Sequence, residues 1–155
     1  MIRLKWENKS AFDNLGKEWE KAIYDGIDMG MKMIGTFLVG EMKKDIIAPS
    51  KGSKKAIRYN PKRDVKVSPP GTSPNSDQGE LVSSITYNSL AKDTIIVGSA
   101  IHKGGWLNYG VKNRKRGGTL APRPFIEPNI EKNQDKMAEM LMERIESRMK
   151  ARGVK

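Results

Sequence analysis

The chain has 155 residues, 37% of them apolar and 30% charged, with no cysteine, one histidine and a formal charge of +11. That length suits one domain with one modest core, and the missing cysteines exclude disulfides, thiolate zinc sites and a cysteine nucleophile, while a single histidine excludes multi-histidine metal sites. The longest apolar stretch, near Met29–Val39, is interrupted by Lys32 and falls far short of the roughly 20 residues of a bilayer span, and Met1–Ser10 lacks the apolar centre of a signal peptide, so the composition reads as a soluble intracellular protein without a membrane partner.

The first expected element is a long helix over 9–47. Leu15, Trp19, Ala22, Ile23, Ile27, Ile34, Phe37, Leu38 and Met42 recur at three- and four-residue steps, which marks one apolar helical face. Ser10 with Asp13 offers an N-cap and Pro49 a stop. Gly26, Gly30, Gly35 and Gly40 each weaken such a helix by about 1 kcal/mol relative to Ala. They predict either close packing, inside the subunit or in an assembly, or a break in the helix.

The stretch 48–79 is rich in Pro, Gly, Ser and Lys and much longer than the usual connection of about four to six residues. Ala56–Tyr59 and Val65–Val67 alternate weakly around turn chemistry at 60–64, which predicts a projecting two-stranded finger. An isolated hairpin is marginal in water, so this arm is expected to stay mobile until a neighbour holds it. Three strands are expected next, at Leu81–Asn88, Thr94–Gly98 and Gly105–Tyr109, from their β-branched and aromatic residues. Turns at Lys92-Asp93 and His102-Lys103-Gly104 make an antiparallel meander the economical arrangement. A basic loop, 113–119, leads to a C-terminal helix over 126–151 carrying Ile126, Ile130, Met137, Leu141, Ile145 and Met149 at helical spacing. The expected fold is α+β: a small antiparallel sheet packed against the long N-terminal helix and the C-terminal helix, with a basic arm.

The charge is concentrated. Residues 48–76 carry Lys51, Lys54, Lys55, Arg58, Lys62, Arg63 and Lys66 against Asp64 alone, a net +6. Residues 100–125 carry Lys103, Lys112, Arg114, Lys115, Arg116 and Arg123 with no acid, another +6. The rest of the chain is close to neutral, and basic charge gathered in turn-rich segments points to a partner. The arm cations together with Lys112, Arg114, Lys115 and Arg116 are therefore the candidate partner-facing or DNA-facing residues. With Trp6, Tyr59, Trp106 and Tyr109 nearby, non-specific phosphate contact is one reading. The helices are charge-balanced, so a helix reading the major groove is not expected.

Catalytic signatures are missing: no phosphate-binding loop, no nucleophile elbow and no paired-histidine zinc motif. His102 reads as an exposed turn histidine, and Glu127, Glu131, Asp135, Glu139 and Glu143 as a helix-surface stripe beside Lys132 and Lys136. The nine methionines gather on the two helices and read as core or interface fillers. No reaction, cofactor or metal is expected.

Three segments in order carry a resemblance. Ser68-Pro69-Pro70-Gly71-Thr72-Ser73-Pro74 precedes Gly79-Glu80-Leu81-Val82-Ser83-Ser84-Ile85. Ile96-Val97-Gly98-Ser99 is followed by Trp106-Leu107-Asn108-Tyr109-Gly110. Pro122-Arg123-Pro124-Phe125-Ile126-Glu127-Pro128 comes last. Together these resemble the tail-completion, or head-to-tail joining, neck proteins of long-tailed bacteriophages and their prophage relatives, over about residues 66–135. There are two departures: Asn108 stands where the family usually has an acid, and Pro122 where Ala is common. The resemblance implies a virion structural protein that assembles in the host cytoplasm as a ring at the neck. Its partners would be its own copies, the tail tube and head-completion or portal-side proteins, with genomic DNA passing the lumen. The motif residues have physical roles of their own. Gly79 and Gly110 suit positions needing a permissive backbone. Pro124 forces Arg123 out of helical geometry, so that Phe125 can plug the core while Arg123 reaches carboxylates or carbonyls of its own subunit. Pro128 suits the first turn of a helix. Leu81 and Ser84 belong to the first motif.

Overall fold

A computed structural model describes residues 1–5, 17–48, 52, 55–59, 62–112 and 118–152. The fold is α+β. Strands β1 (Ile2–Lys5), β4 (Ile85–Ala91) and β5 (Thr94–Ser99) form a three-stranded antiparallel sheet in the order β1-β5-β4. Helix α1 (Lys17–Ile47) packs on that sheet and, along its N-terminal half, against α5 (Gln134–Ala151). A separate antiparallel pair, β2 (Lys55–Tyr59) and β3 (Lys62–Lys66), forms the arm. Three shorter helices complete the chain: α2 (Glu80–Ser84), α3 (His102–Tyr109) and α4 (Glu127–Lys132).

The apolar rhythm of the first helix is the backbone of the core. Ile23, Ile27, Met31, Ile34, Leu38, Met42 and Ile46 recur every three or four residues and are all buried, against Leu81, Ile85, Ile95, Val97, Phe125, Leu141 and Ile145. Each fully buried aliphatic side chain of this size stabilises the fold by about 1.5–3 kcal/mol relative to exposure. Trp19 belongs to the same periodic series yet is 41% exposed, so the buried stripe begins at Ala22. The expected N-cap at Ser10 and Asp13, the apolar residue Leu15 and the stop at Pro49 lie outside the described residues.

Three of the four helix glycines mark close approaches. A Cβ on Gly26 would sit 2.7 Å from Ile145 Cα, and one on Gly30 would meet Leu141. These two form a notch that lets α5 lie against the α1 backbone. A Cβ on Gly35 would enter the Tyr87 ring of β4, whereas Gly40 has nothing within 4 Å. The packing alternative is thus realised inside the subunit, and α1 runs unbroken through all four.

Several expectations need correction. Gly105–Tyr109 is not a strand but most of α3. Its inward positions are Gly104 and Asn108, while Trp106 and Tyr109 face out, so the aromatic residues that suggested a strand are the solvent side of a helix. The third strand of the sheet is β1 instead, paired with β5 from Ile2↔Val97 to Lys5↔Thr94. The expected strand Leu81–Asn88 begins with a helical turn, α2. Here Ser83 donates its N–H and its hydroxyl to the Gly79 carbonyl at 2.8 and 2.7 Å. The expected C-terminal helix is two helices meeting at Asn133, whose side chain donates to the Asn129 carbonyl at 2.7 Å. The two-residue link Lys92-Asp93 does turn β4 into β5 as read from sequence. The arm is shorter than 48–79, because residues 67–79 are docked on the body. Ser68 and Ser73 are buried there, and Ser76 donates to the Ile46 carbonyl at the end of α1 at 3.1 Å. Among the described residues no helix is long and apolar enough to cross a membrane.

Candidate functional site

The three motif segments meet at one node. Asn108, 2% exposed on the inner face of α3, accepts the backbone N–H groups of Phe125 and Ile126 on its Oδ1 at 2.9 and 3.2 Å. Its Nδ2 donates to both Glu127 carboxylate oxygens at 2.8 and 3.1 Å. The amide orientation is fixed by chemistry, since only the oxygen can face two donors and only the nitrogen can face a carboxylate. Phe125 is thereby seated in the core at 0% exposure. At position 108 the amide oxygen serves the backbone, and the acid of the pair stands at Glu127. Nothing but its odd place in the motif singled out Asn108 in the sequence.

Arg123 ties the node to the first motif. Its Nε donates to the Ser68 carbonyl at 2.9 Å and its Nη1 to the Ala121 carbonyl at 3.2 Å, while its backbone N–H donates to the Leu107 carbonyl at 2.7 Å. It reaches carbonyls of its own subunit, as expected from Pro124, which is half-buried beside it. Gly71 donates to the Pro122 carbonyl at 2.9 Å. Gly79 and Gly110 have φ of 77° and 76°, the left-handed region that glycine enters without cost. A Cβ on Gly110 would also lie 2.6 Å from the Leu120 carbonyl oxygen. Ser84 Oγ is 2.8 Å from Ser99 Oγ, which locks α2 to β5, and Leu81 is buried beneath them. Pro128 lies in the first turn of α4.

Around this node the two basic segments converge. A cleft of about 270 Å³ is lined by Val65, Lys66 and Val67 at the root of the arm and by Leu107, Leu120 and Arg123 of the body. Val111 and Leu120 exchange backbone hydrogen bonds at 2.9 Å each, closing the base of the second basic loop. Segments that lie far apart in sequence thus leave the body at one end. Lys66 and Lys112 are exposed there; Lys55, Arg58, Lys62 and Arg63 are placed in the arm strands; Lys51, Lys54, Arg114, Lys115 and Arg116 lie outside the described residues. Lys103 pairs with Glu80 at 3.0 Å.

Beside the second loop lies an aromatic face. Trp106 and Tyr109 are 53% and 56% exposed, and the His102 ring stacks on Trp106 with centroids 6.4 Å apart. His102 is exposed as expected, but as the first residue of α3 rather than in a turn. Partial burial, and next the neighbouring Glu127 carboxylate, which also accepts its hydrogen bond, hold the Tyr109 hydroxyl above its usual pKa of 10.0.

The outer face of α5 carries acids, although four cations leave the helix neutral as a whole. α5 lies beside the N-terminal half of α1, with Ile145 at Gly26 and Leu141 at Gly30, whereas the docked loop meets α1 at Ile46. Sixteen residues of helix, about 24 Å at 1.5 Å per residue, separate Gly30 from Ile46. Asp135, Glu139, Glu143 and Glu146 are exposed on the outer face of α5, with Met142 among them. Glu127, counted in the expected surface stripe, is instead turned inward to Asn108, because the chain bends at Asn133. Comparison with protein-family models, curated proteins and solved structures finds no match to this chain.

Proposed function

We propose that this chain is a structural protein of the head-tail junction of a long-tailed bacteriophage or prophage. In this reading it completes the tail or connects it to the head, assembling as a ring that joins the tail tube to the portal side. Such a protein resides in the neck or tail of the virion after assembly in the host bacterial cytoplasm, and it performs no reaction. The observation that carries the reading is the convergence of the motif segments behind the resemblance. Ser68 and Arg123, 55 residues apart, are joined directly, and Asn108 clamps Phe125 and Ile126. Light scattering and electron microscopy of the purified chain, alone and with tail-tube and portal-side proteins, test it. Rings are expected, and a chain that stays monomeric in every mixture refutes the reading.

A second reading, a non-specific nucleic-acid-binding protein, is favoured by the meeting of both basic segments at one cleft. It predicts duplex DNA binding whose affinity falls steeply with salt, each phosphate contact adding about 0.9 to the log-log slope. Replacing Arg114, Lys115 and Arg116 with Ser should then flatten that slope. A slope unchanged by the replacement counts against it.

A further inference from the structure

Among the described helices and strands, the two strands of the arm pack mainly on each other. β2 and β3 pair with each other, and no other helix or strand packs on them to a comparable extent. Their register places Lys55 opposite Lys66 and Arg58 opposite Arg63, and like charges at facing positions destabilise an antiparallel pair. A hairpin already marginal by size is further weakened by its own charge, so it calls for an anionic surface outside itself. Resting on the ring reading above, we propose that the arm of one copy lies along the outer face of α5 in the next copy.

Complementarity selects that face. On a helical wheel Asp135, Glu139, Glu143 and Glu146 share one side of α5, with only Lys136 and Lys150 among them, and Met142 is 49% exposed at its margin. Lys136 pairs with Glu139 at 3.1 Å and Lys150 with Glu146 at 3.9 Å. Such exposed pairs are weak and can be exchanged for contacts with the arm. The apolar margin provides contact area that phosphate would not use. The arm does not reach the Glu143–Glu146 end of its own α5: strands of five residues span about 17 Å at about 3.4 Å per residue, whereas Glu143, between Leu141 at Gly30 and Ile145 at Gly26, lies about 27 Å of helix from Ile46. The contact joins two different surfaces of identical chains, so it propagates around a ring.

The absence of cysteine makes a direct test clean. Lys62→Cys protein mixed with Glu143→Cys protein should form an interchain disulfide on mild oxidation, and Lys62→Cys mixed with Ser89→Cys, on exposed β4, should not. Charge reversal adds a second readout. R58E/K62E/R63E in the arm and E139K/E143K/E146K on α5 should each lower self-association about tenfold or more, because like-charge juxtaposition is strongly unfavourable. A mixture of the two reversed proteins presents acidic arms to basic helices and basic arms to acidic helices, so it should assemble again. Rings that form without the cross-link and without rescue in the mixture overturn this surface while leaving the ring reading intact. Absence of any oligomer, even with tail and portal-side proteins, overturns both. Loss of the cross-link on adding duplex DNA overturns the proposal in favour of phosphate as the arm's partner.

Discussion

Replacing Asn108 with Ala removes the acceptor for two buried N–H groups, those of Phe125 and Ile126. An orphaned buried donor costs about 1–3 kcal/mol, and Glu127 loses the amide that binds both its oxygens. The expected loss is about 3–5 kcal/mol, a large share of the 5–15 kcal/mol typical of a domain. At about 2–4 °C per kcal/mol for a chain of this size, the melting temperature should fall by roughly 10 °C or more. Asn108→Asp separates the two functions of the side chain. It keeps the acceptor but places a second carboxylate where Nδ2 lies 2.8 Å from Glu127. Two carboxylates that close cannot both ionise without penalty, so one of them takes up a raised pKa. A raised folded-state pKa gives stability that is present below the ordinary carboxylate range and lost as pH rises through the raised value. The Asp variant should therefore melt near the parent at pH 4 and well below it at pH 7, whereas the deficit of the Ala variant should change little between them. Thermal melts by circular dichroism at the two pH values decide it. An Ala variant within about 2 °C of the parent, or an Asp deficit that does not grow with pH, would refute the clamp.

The glycine notch predicts opposite signs for two similar substitutions. Gly26→Ala should lower the urea midpoint, because its Cβ meets the Ile145 backbone and overpacking of about 1–3 kcal/mol exceeds the gain in helix propensity. Gly40→Ala, with open space around it, should raise stability by about 0.5–1 kcal/mol; midpoints moving the same way would contradict this. Absorbance titration should find the Tyr109 hydroxyl ionising above the ordinary range. Glu127→Gln should bring it down, since the carboxylate charge is a cause of the Tyr109 shift. Arg123→Lys keeps the charge but not the planar fork that reaches the Ser68 and Ala121 carbonyls. A loss of about 1–2 kcal/mol in chemical denaturation with unchanged DNA affinity is expected, and the reverse pattern would make Arg123 a phosphate contact.

What was legible in the sequence was what repeats. The α1 stripe from Ala22 to Ile46 obeys helical spacing because one continuous face meets one continuous core, and the arm hairpin is readable from alternation, although Lys62, Arg63 and Asp64, expected in its turn, belong to β3. α3 was illegible for a specific reason. A helix normally hides apolar residues, but this one hides Gly104 and Asn108, the first because a side chain there would collide with Ser99, the second because it clamps the backbone beyond it. β1 has only four residues and gains its identity from pairing with β5, a long-range contact that no local pattern encodes. The candidate site was half readable. Charge counting found both basic segments, but their meeting at one cleft depends on Arg123, Ser68, Gly71 and Pro122 bonding across the chain. Among the residues of the node, the proline between them makes the roles of Arg123 and Phe125 readable, while Asn108 stands out only as a departure.

The long reach of α1 also bears on how the chain is made. The face from Ile23 to Ile46 is covered by residues lying between Leu81 and Ile145, so roughly 100 further residues must be synthesised after α1 before its last packing partner exists. At about 5–20 residues per second that is about 5–20 s during which a ribosome-bound chain presents an incompletely covered apolar helix. During that time the nascent chain is a client for holding chaperones, and slow translation or truncation before α5 should send it to aggregates rather than to a smaller folded unit.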